Sequence, residues 1–128
     1  MRYLLDTHSF LWHFAAPSKL GANARQVLAA AGSDLWLSVA SVWELAIKHA
    51  LGKLSLTAPP VDFVEARLPV MGCKVLPIEL RHIRALSSLP PLHRDPFDRM
   101  LVAQAVADGF SIVSADGNVA AYGAPVIW

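Results

Sequence analysis

The chain has 128 residues, a length typical of a single domain. Its 11 basic and 10 acidic residues give a net charge of +1, which excludes a strong overall attraction to nucleic acid, so any such binding must be local. The single cysteine excludes an internal disulfide, and no apolar run reaches the roughly 20 residues that a membrane-spanning helix needs.

The order of apolar runs and helical patterns predicts an α/β fold. Short apolar runs indicate buried strands, apolar residues three or four positions apart indicate helices, and prolines and glycines mark most of their ends. The predicted strands cover residues 3–5, 35–37, 74–78, 111–114 and 126–127. The predicted helices cover about 7–16, 22–31, 38–51, 61–71, 79–89 and 96–107, with a short helical stretch after 117. This alternation predicts one domain, residues 1–128, with a mostly parallel sheet covered on both faces.

The composition also bears on surface and location. Hydrophobic residues make up 55% of the chain and the mean hydropathy is +0.43, which predicts exposed apolar surface of the kind that marks association sites. Met1-Arg2-Tyr3 lacks the pattern of a signal peptide, so we expect a cytoplasmic protein without membrane contact. Cys73, in an apolar context, is expected to be buried and unreactive.

Acidic residues follow several predicted strands at the point where each strand ends. Asp6 directly follows the first strand and Asp116 lies just past the strand at 111–114, while Asp98 and Glu44 lie near the starts of helices. Ligands of open parallel sheets bind beyond the carboxyl ends of the strands. We therefore expect these four acids to converge on one edge of the sheet.

Converging carboxylates repel one another by about 1 kcal/mol at 4 Å even in water, so either their pKa values rise or a cation lies among them. All the candidate ligand atoms are oxygens, and this favours Mg²⁺, with Mn²⁺ as a substitute, over zinc. A cation of this kind can activate a water for attack on a phosphodiester. The motifs for nucleoside triphosphate or dinucleotide binding are absent from the sequence.

Three of the acids have structural explanations at the starts of helices. Asp6 stands where an N-cap residue would lie. Asp95 precedes Pro96, the usual order of an N-cap and the first helical residue. Asp98, three residues later, lies in the first turn, where the helix dipole alone would favour an acid.

The remaining acids have equally simple alternatives. Glu44 completes the pattern Ser41-x-x-Glu44 of a capping box, and it also precedes Lys48 by four residues, the spacing of a helical ion pair. Asp116 with Gly117 is typical of a turn.

Basic residues near these acids are candidates for binding a phosphate. His93, Arg94 and Arg99 flank the third acidic segment, and Lys48 follows Glu44, although solvated surface charges show the same pattern. The five histidines are scattered, which argues against a zinc site, and we interpret the four tryptophans as packing residues.

The acids lie in segments that together resemble one family. Leu4-Leu5-Asp6-Thr7-His8 is similar to the first strand and first catalytic acid of the PIN domain, and the segment from Val42 to Lys48 resembles its second-acid helix. The segment from His93 to Ala105 is similar to the third-acid segment of the VapC-like branch. Ser114-Ala115-Asp116, followed by Ala121-Tyr122-Gly123, resembles the closing acid. The matching segments occur in family order along nearly the whole chain.

This resemblance implies a three-layer α/β/α sandwich and a Mg²⁺-dependent endoribonuclease. It implies that the catalytic and metal-binding residues are Asp6, Glu44, Asp98 and Asp116, with Asp95, Thr7 and Ser114 in support. It further implies a VapC-like toxin of a type II toxin-antitoxin system, a VapB-like antitoxin whose peptide occupies the acidic groove, and a homodimer. Members of the family often have Thr at the position of Ser114 and Asn at the position of His8.

Two other functions stay open at this point. The first is a PIN-like module that binds RNA or a protein without catalysis. The second is a structure-specific DNA nuclease, because a metal centre acts on the phosphate and not on the base.

Overall fold

A parallel sheet of five strands forms the centre of the chain in a computed structural model, which describes residues 1–92 and 94–128. The strands are β1 (Arg2–Leu5), β2 (Asp34–Ser38), β3 (Cys73–Leu76), β4 (Ser111–Val113) and β5 (Val126–Ile127). Their order across the sheet is β3-β2-β1-β4-β5, and every neighbouring pair is parallel. The predicted α/β class is confirmed.

Helices connect the strands on both faces of the sheet. They are α1 (Thr7–Ala15), α2 (Ala22–Ala29), α3 (Val39–Ala50), α4 (Pro60–Met71), α5 (Leu80–Ser87), α6 (Pro96–Asp108) and α7 (Gly117–Ala120). One 3-10 turn, Pro17–Lys19, follows α1. None of these helices combines the length and the hydropathy that a membrane span requires, within the residues described.

The central strand β1 shows why the fold has three layers. Its last two residues, Leu4 and Leu5, point to opposite faces, and both are fully buried because each face is covered. Leu5 belongs to a core with Phe10 of α1 and Leu45 of α3, to which α2 and α4 also contribute. Leu4 belongs to a second core with residues of α6 and α7, such as Val102. The sheet is therefore sandwiched between two helical layers.

The strand order determines where a site can form. From β1 the chain first moves outward through β2 to β3, and it then returns to place β4 and β5 on the other side of β1. A crevice opens at such a reversal, beyond the carboxyl ends of the two central strands. Asp6 follows β1 at this position, and its N–H donates to the Val113 carbonyl of β4 at 3.1 Å.

Two predicted boundaries differ from the structure for identifiable reasons. Helix α2 ends at Ala29 rather than near residue 31, because Ala30 is extended and the Ser33 hydroxyl donates to the Val27 carbonyl at 2.6 Å. Strand β3 ends at Leu76 rather than at residue 78, since Pro77 follows and has no N–H to donate to a neighbouring strand.

Cys73 is buried at the start of β3, as predicted, and burial raises the pKa of its thiol to about 12. The thiolate is the reactive form of cysteine, and a pKa this high leaves almost none of it near neutral pH. Cys73 is therefore a packing residue.

An ionic network joins α5 to the end of α6. The Asp108 carboxylate accepts two hydrogen bonds from Arg81, at 2.8 and 3.1 Å, and lies 2.7 Å from Nε2 of the fully buried His82. Nδ1 of His82 accepts from the Glu79 N–H at 3.0 Å, so Nε2 is the nitrogen that donates to Asp108. The hydrogen bonds from Arg81, followed by that from His82, lower the pKa of Asp108 from 3.8 to about 2.

We expect Asp108→Asn to lower the free energy of unfolding by about 1–2 kcal/mol at neutral pH, allowing for the half-exposed Arg81. A carboxylate with a depressed pKa stabilises the fold above its ordinary pKa, and this contribution is lost as the pH falls toward 2. Urea unfolding from about pH 6 to pH 2.5 should therefore show the difference between variant and wild type shrinking. Glu65→Gln, at an exposed position beyond the first turn of α4, is the control, and a pH-independent difference would contradict the assignment.

Candidate functional site

The four predicted acids line one small cleft at the carboxyl edge of the sheet. The cleft has a volume of about 210 Å³. Its lining residues are Asp6, Thr7, His8, Glu44, Lys48, Asp95, Asp98 and Asp116. They come from the starts of α1, α6 and α7 and from the middle of α3, so the fold brings together segments that are up to 110 positions apart, from residue 6 to residue 116.

Asp6 is held at the start of α1. Its side chain is buried, and Oδ1 accepts from the Ser9 N–H at 2.7 Å, which makes Asp6 the N-cap of the helix. The Ser9 hydroxyl donates in turn to the Val113 carbonyl at 2.9 Å. These contacts fix the beginning of α1 to the end of β4, and with it the position of the Asp6 carboxylate.

Glu44 is the most enclosed acid of the cleft, with 6% of its surface exposed. Oε1 accepts from the Thr7 hydroxyl at 2.6 Å, and Oε2 forms an ion pair with Lys48 Nζ at 2.6 Å. The predicted alternative of an ion pair is thus present, but the capping box is not. Ser38 caps α3 through the Ala40 N–H, and the buried Ser41 hydroxyl finds no partner in the described part of the chain.

The remaining acids lie at the starts of α6 and α7. Asp95 Oδ1 accepts from the N–H groups of Phe97 and Asp98, at 2.9 and 3.3 Å, and caps α6. Asp98 is half-buried in the first turn of that helix. Asp116 Oδ1 accepts from the Asn118 N–H at 2.9 Å and caps α7.

Ser114 supports Asp116 from the end of β4. The Ser114 hydroxyl is buried and accepts from the Asp116 N–H at 3.0 Å, which fixes the backbone of the turn that carries the acid. The Thr7 hydroxyl acts differently, since it donates directly to the Glu44 carboxylate. Both hydroxyls thus hold an acid or its backbone in position.

The donor set of the cleft has the chemistry of a site for a hard divalent cation. Carboxylate and hydroxyl oxygens predominate, and these are the ligands that Mg²⁺ and Mn²⁺ prefer. Within residues 1–92 and 94–128, however, no three Asp, Glu, His or Cys side chains lie close enough together to hold one ion. The carboxylates surround the cleft without meeting at a single point.

The predicted phosphate-binding residues lie in different places. Lys48 lines the cleft. Arg99 does not, because its guanidinium donates to the Pro90 carbonyl at 3.0 Å and to the Tyr122 hydroxyl at 3.1 Å. Arg94 is exposed and also lies outside the cleft lining, and His93 falls outside the described residues.

His8 lines the cleft although sequence reasoning gave the histidines little weight. It is exposed, and its ring lies 5.4 Å from that of Trp12, one turn further along α1. The signal that would have found it is its position two residues after Asp6, at the helix start nearest the carboxyl edge of the sheet.

Comparison with known proteins gives a family match and several structural matches. A model of the PIN domain matches residues 3–125. No curated protein sequence matches the chain. One similar solved structure is VapBC2 from Rickettsia felis bound to a DNA fragment from the promoter of VapBC2. It has a TM-score of 0.73 and 12% identity, over 98% of this chain and 97% of the VapBC2 chain.

Two further solved structures are similar. FitAcB from Neisseria gonorrhoeae has a TM-score of 0.61 and 21% identity, over 97% of this chain and 95% of that one. VapBC-1 from nontypeable Haemophilus influenzae has a TM-score of 0.64 and 14% identity, over 98% and 96%. At these identities the likeness is one of fold.

Because Asp6 is an N-cap, its replacement by Asn and its replacement by Ala should affect the stability of the fold differently. Asp6→Asn keeps a good capping side chain and removes one negative charge from the cleft, so we expect its free energy of unfolding to stay within about 0.5 kcal/mol of wild type or to rise. Asp6→Ala loses the cap and should be about 1 kcal/mol less stable than Asp6→Asn. Urea unfolding in EDTA measures both, and equal losses in the two variants would argue against the capping role.

Proposed function

The chain belongs to the PIN domain family, a family of nucleases, and from this we propose that it is an endoribonuclease dependent on a divalent cation, Mg²⁺ or its substitute Mn²⁺. The observation that carries the proposal is the convergence of Asp6, Glu44, Asp98 and Asp116 on one cleft from four separate elements. These are the four positions at which the family resemblance predicts the catalytic acids.

We assign the four acids as the residues that would hold the cation; because no three described side chains lie close enough to hold one ion, they would have to close around it. When bound, a divalent cation neutralises charge on the phosphate and lowers the pKa of a water at the site. Thr7 keeps one oxygen of Glu44 oriented, and Asp95 and Ser114 keep the starts of α6 and α7 in place around the cleft. Lys48, 39% exposed, is placed to exchange its contact with Glu44 for a contact with the phosphate.

The proposed biological role is that of a VapC-like toxin, acting in the cytoplasm and neutralised by a VapB-like antitoxin. The similar solved structures come from VapBC and FitAB complexes, and this supports a partner of that kind. Exposed apolar residues such as Trp43, Val70 and Leu80 offer surface for an antitoxin or for a homodimer, which we also propose.

Two alternatives differ from this proposal in testable ways. A PIN-like module without catalysis would have no need for four acids around one cleft, and their presence favours an enzyme. A DNA nuclease would use the same residues, so digestion of matched single-stranded RNA and DNA side by side separates it from the ribonuclease.

We expect Asp6→Asn and Asp98→Asn each to reduce RNA cleavage by at least about a hundredfold, since the charge stabilisation lost at a metal centre amounts to several kcal/mol. Cleavage of a labelled single-stranded RNA in Mg²⁺ measures this, with circular dichroism to verify folding. Asp62→Asn removes an acid of the same kind from an exposed part of α4 and should cleave like wild type. Wild-type rates in either cleft variant would refute the site assignment.

Lys48 should compete with the cation for Glu44, because its ammonium already neutralises that carboxylate. We therefore expect Lys48→Gln to bind Mn²⁺ roughly tenfold more tightly than wild type, while Asp6→Asn binds it more weakly. Isothermal titration calorimetry measures both affinities. Weaker Mn²⁺ binding by Lys48→Gln would show that Lys48 supports the site rather than competing for it.

A further inference from the structure

A second cavity of about 690 Å³ lies beside the acidic cleft, between α1, α3, α4 and the loop that joins α3 to α4. We call it the side groove and define it by Trp12, Lys19, Lys53, Leu54, Leu56 and Arg67. It shares Thr7, His8 and Lys48 with the acidic cleft, so the two depressions adjoin across these residues. A chain molecule that occupies the cleft can therefore continue into the side groove.

The charge of the side groove is opposite to that of the cleft. Lys19, Lys48, Lys53 and Arg67 line it, and its lining contains no aspartate or glutamate among the residues described. Lys48 pairs with Glu44, whereas the other three cations form no ion pair with any described side chain. Unneutralised cations along an apolar groove complement a ligand that carries repeated negative charge.

Aromatic rings lie next to these cations. The rings of His8 and Trp12 are 5.4 Å apart and inclined by 36°, and both line the side groove. Trp128 packs against Trp12 in an edge-to-face contact with ring centroids 5.8 Å apart. The Arg67 guanidinium lies 3.6 Å from the centre of the Phe63 ring. Phe63 is buried under this guanidinium, so the rings of His8 and Trp12 are the ones suited to stacking of an exposed base.

Building on the proposed function, we propose that the side groove binds the single-stranded RNA that continues from the phosphate at the acidic cleft. Lys19, Lys53 and Arg67 contact phosphates of this strand, and His8 with Trp12 receives an unstacked base. The groove volume suits a short stretch of strand, and bases can reach aromatic side chains in this way only when they are unpaired, which favours a single strand over a duplex.

A protein segment with acidic and apolar side chains is the other class of ligand for such a groove. Two observations favour RNA. The side groove has three cations outside any described ion pair and no aspartate or glutamate among its described lining residues, and every nucleotide of an RNA strand brings a phosphate, whereas only some side chains of a protein segment are acidic. The exposed His8 ring also belongs to both depressions, and it offers a stacking face where the strand passes from one to the other.

The test compares two double variants that remove the same charge. Lys19→Gln with Lys53→Gln changes the side groove, and Lys74→Gln with Arg84→Gln changes exposed positions on β3 and α5. Fluorescence anisotropy with a fluorescein-labelled eight-nucleotide uridine RNA, in EDTA to prevent cleavage, gives Kd at several salt concentrations. We expect the groove variant to bind roughly tenfold more weakly, with a salt slope smaller by about 1.4 for two lost phosphate contacts. The control variant should bind within about twofold of wild type.

Cleavage kinetics in Mg²⁺ separate this proposal from the proposed function. With the same RNA, the groove variant should raise KM and leave kcat unchanged. If the wild type binds RNA but does not cleave it, the nuclease proposal fails while the anisotropy result still decides on the groove. Equal Kd values in the two double variants, or no RNA binding by wild type, would overturn the groove proposal. So would unchanged RNA affinity together with loss of a co-purifying protein partner, which would make the groove a protein-docking site.

Discussion

Hydrogen bonds from backbone N–H groups at the starts of helices hold most of the acidic cleft together. Asp6, Asp95 and Asp116 each accept such bonds as the first residue before a helix, and each also faces the cleft. The N–H groups of a first helical turn have no partner within the helix and carry partial positive charge, so they stabilise a nearby carboxylate. Capping and the placement of these acids around one cleft are therefore two effects of one arrangement.

Glu44 lies in the second turn of α3, away from the capping N–H groups, and it is stabilised differently. A buried carboxylate is costly unless it is paired and hydrogen-bonded, and Thr7 with Lys48 meets both needs. Lys48 also borders the basic side groove. The Lys48 side chain thus lies between a region of negative charge and a region of positive charge. A divalent cation would compete with Lys48 for Glu44, and a polyanion would compete with Glu44 for Lys48.

Much of this arrangement follows from the sequence because it depends on local patterns. Short apolar runs predict the strands, and the position of Asp6 after β1 and of Asp116 after β4 predicts a shared edge. Asp6 and Asp95 cap helices and Glu44 pairs with Lys48, and the same residues also line the cleft. Spacing alone could not show that both roles occur together. The side groove could not be predicted, since its cations come from a 3-10 turn, a loop and α4, and nothing in their spacing links them. The end of α2 depends on the Ser33 hydroxyl, and that contact too is visible only in three dimensions.

The contact between Trp12, which lines the side groove, and Trp128 joins residues that are far apart in the described chain. Trp128 packs against Trp12 and fits closely over Gly21, where a Cβ atom would lie 2.6 Å from the tryptophan backbone. Its neighbour β5, at 126–127, completes the sheet beside β4. During synthesis the acids at positions 6, 44, 98 and 116 all emerge before this contact can form. A nascent chain therefore has every acid of the cleft while it still lacks the contact of Trp128 with Trp12, so the acids are in place before that surface becomes rigid.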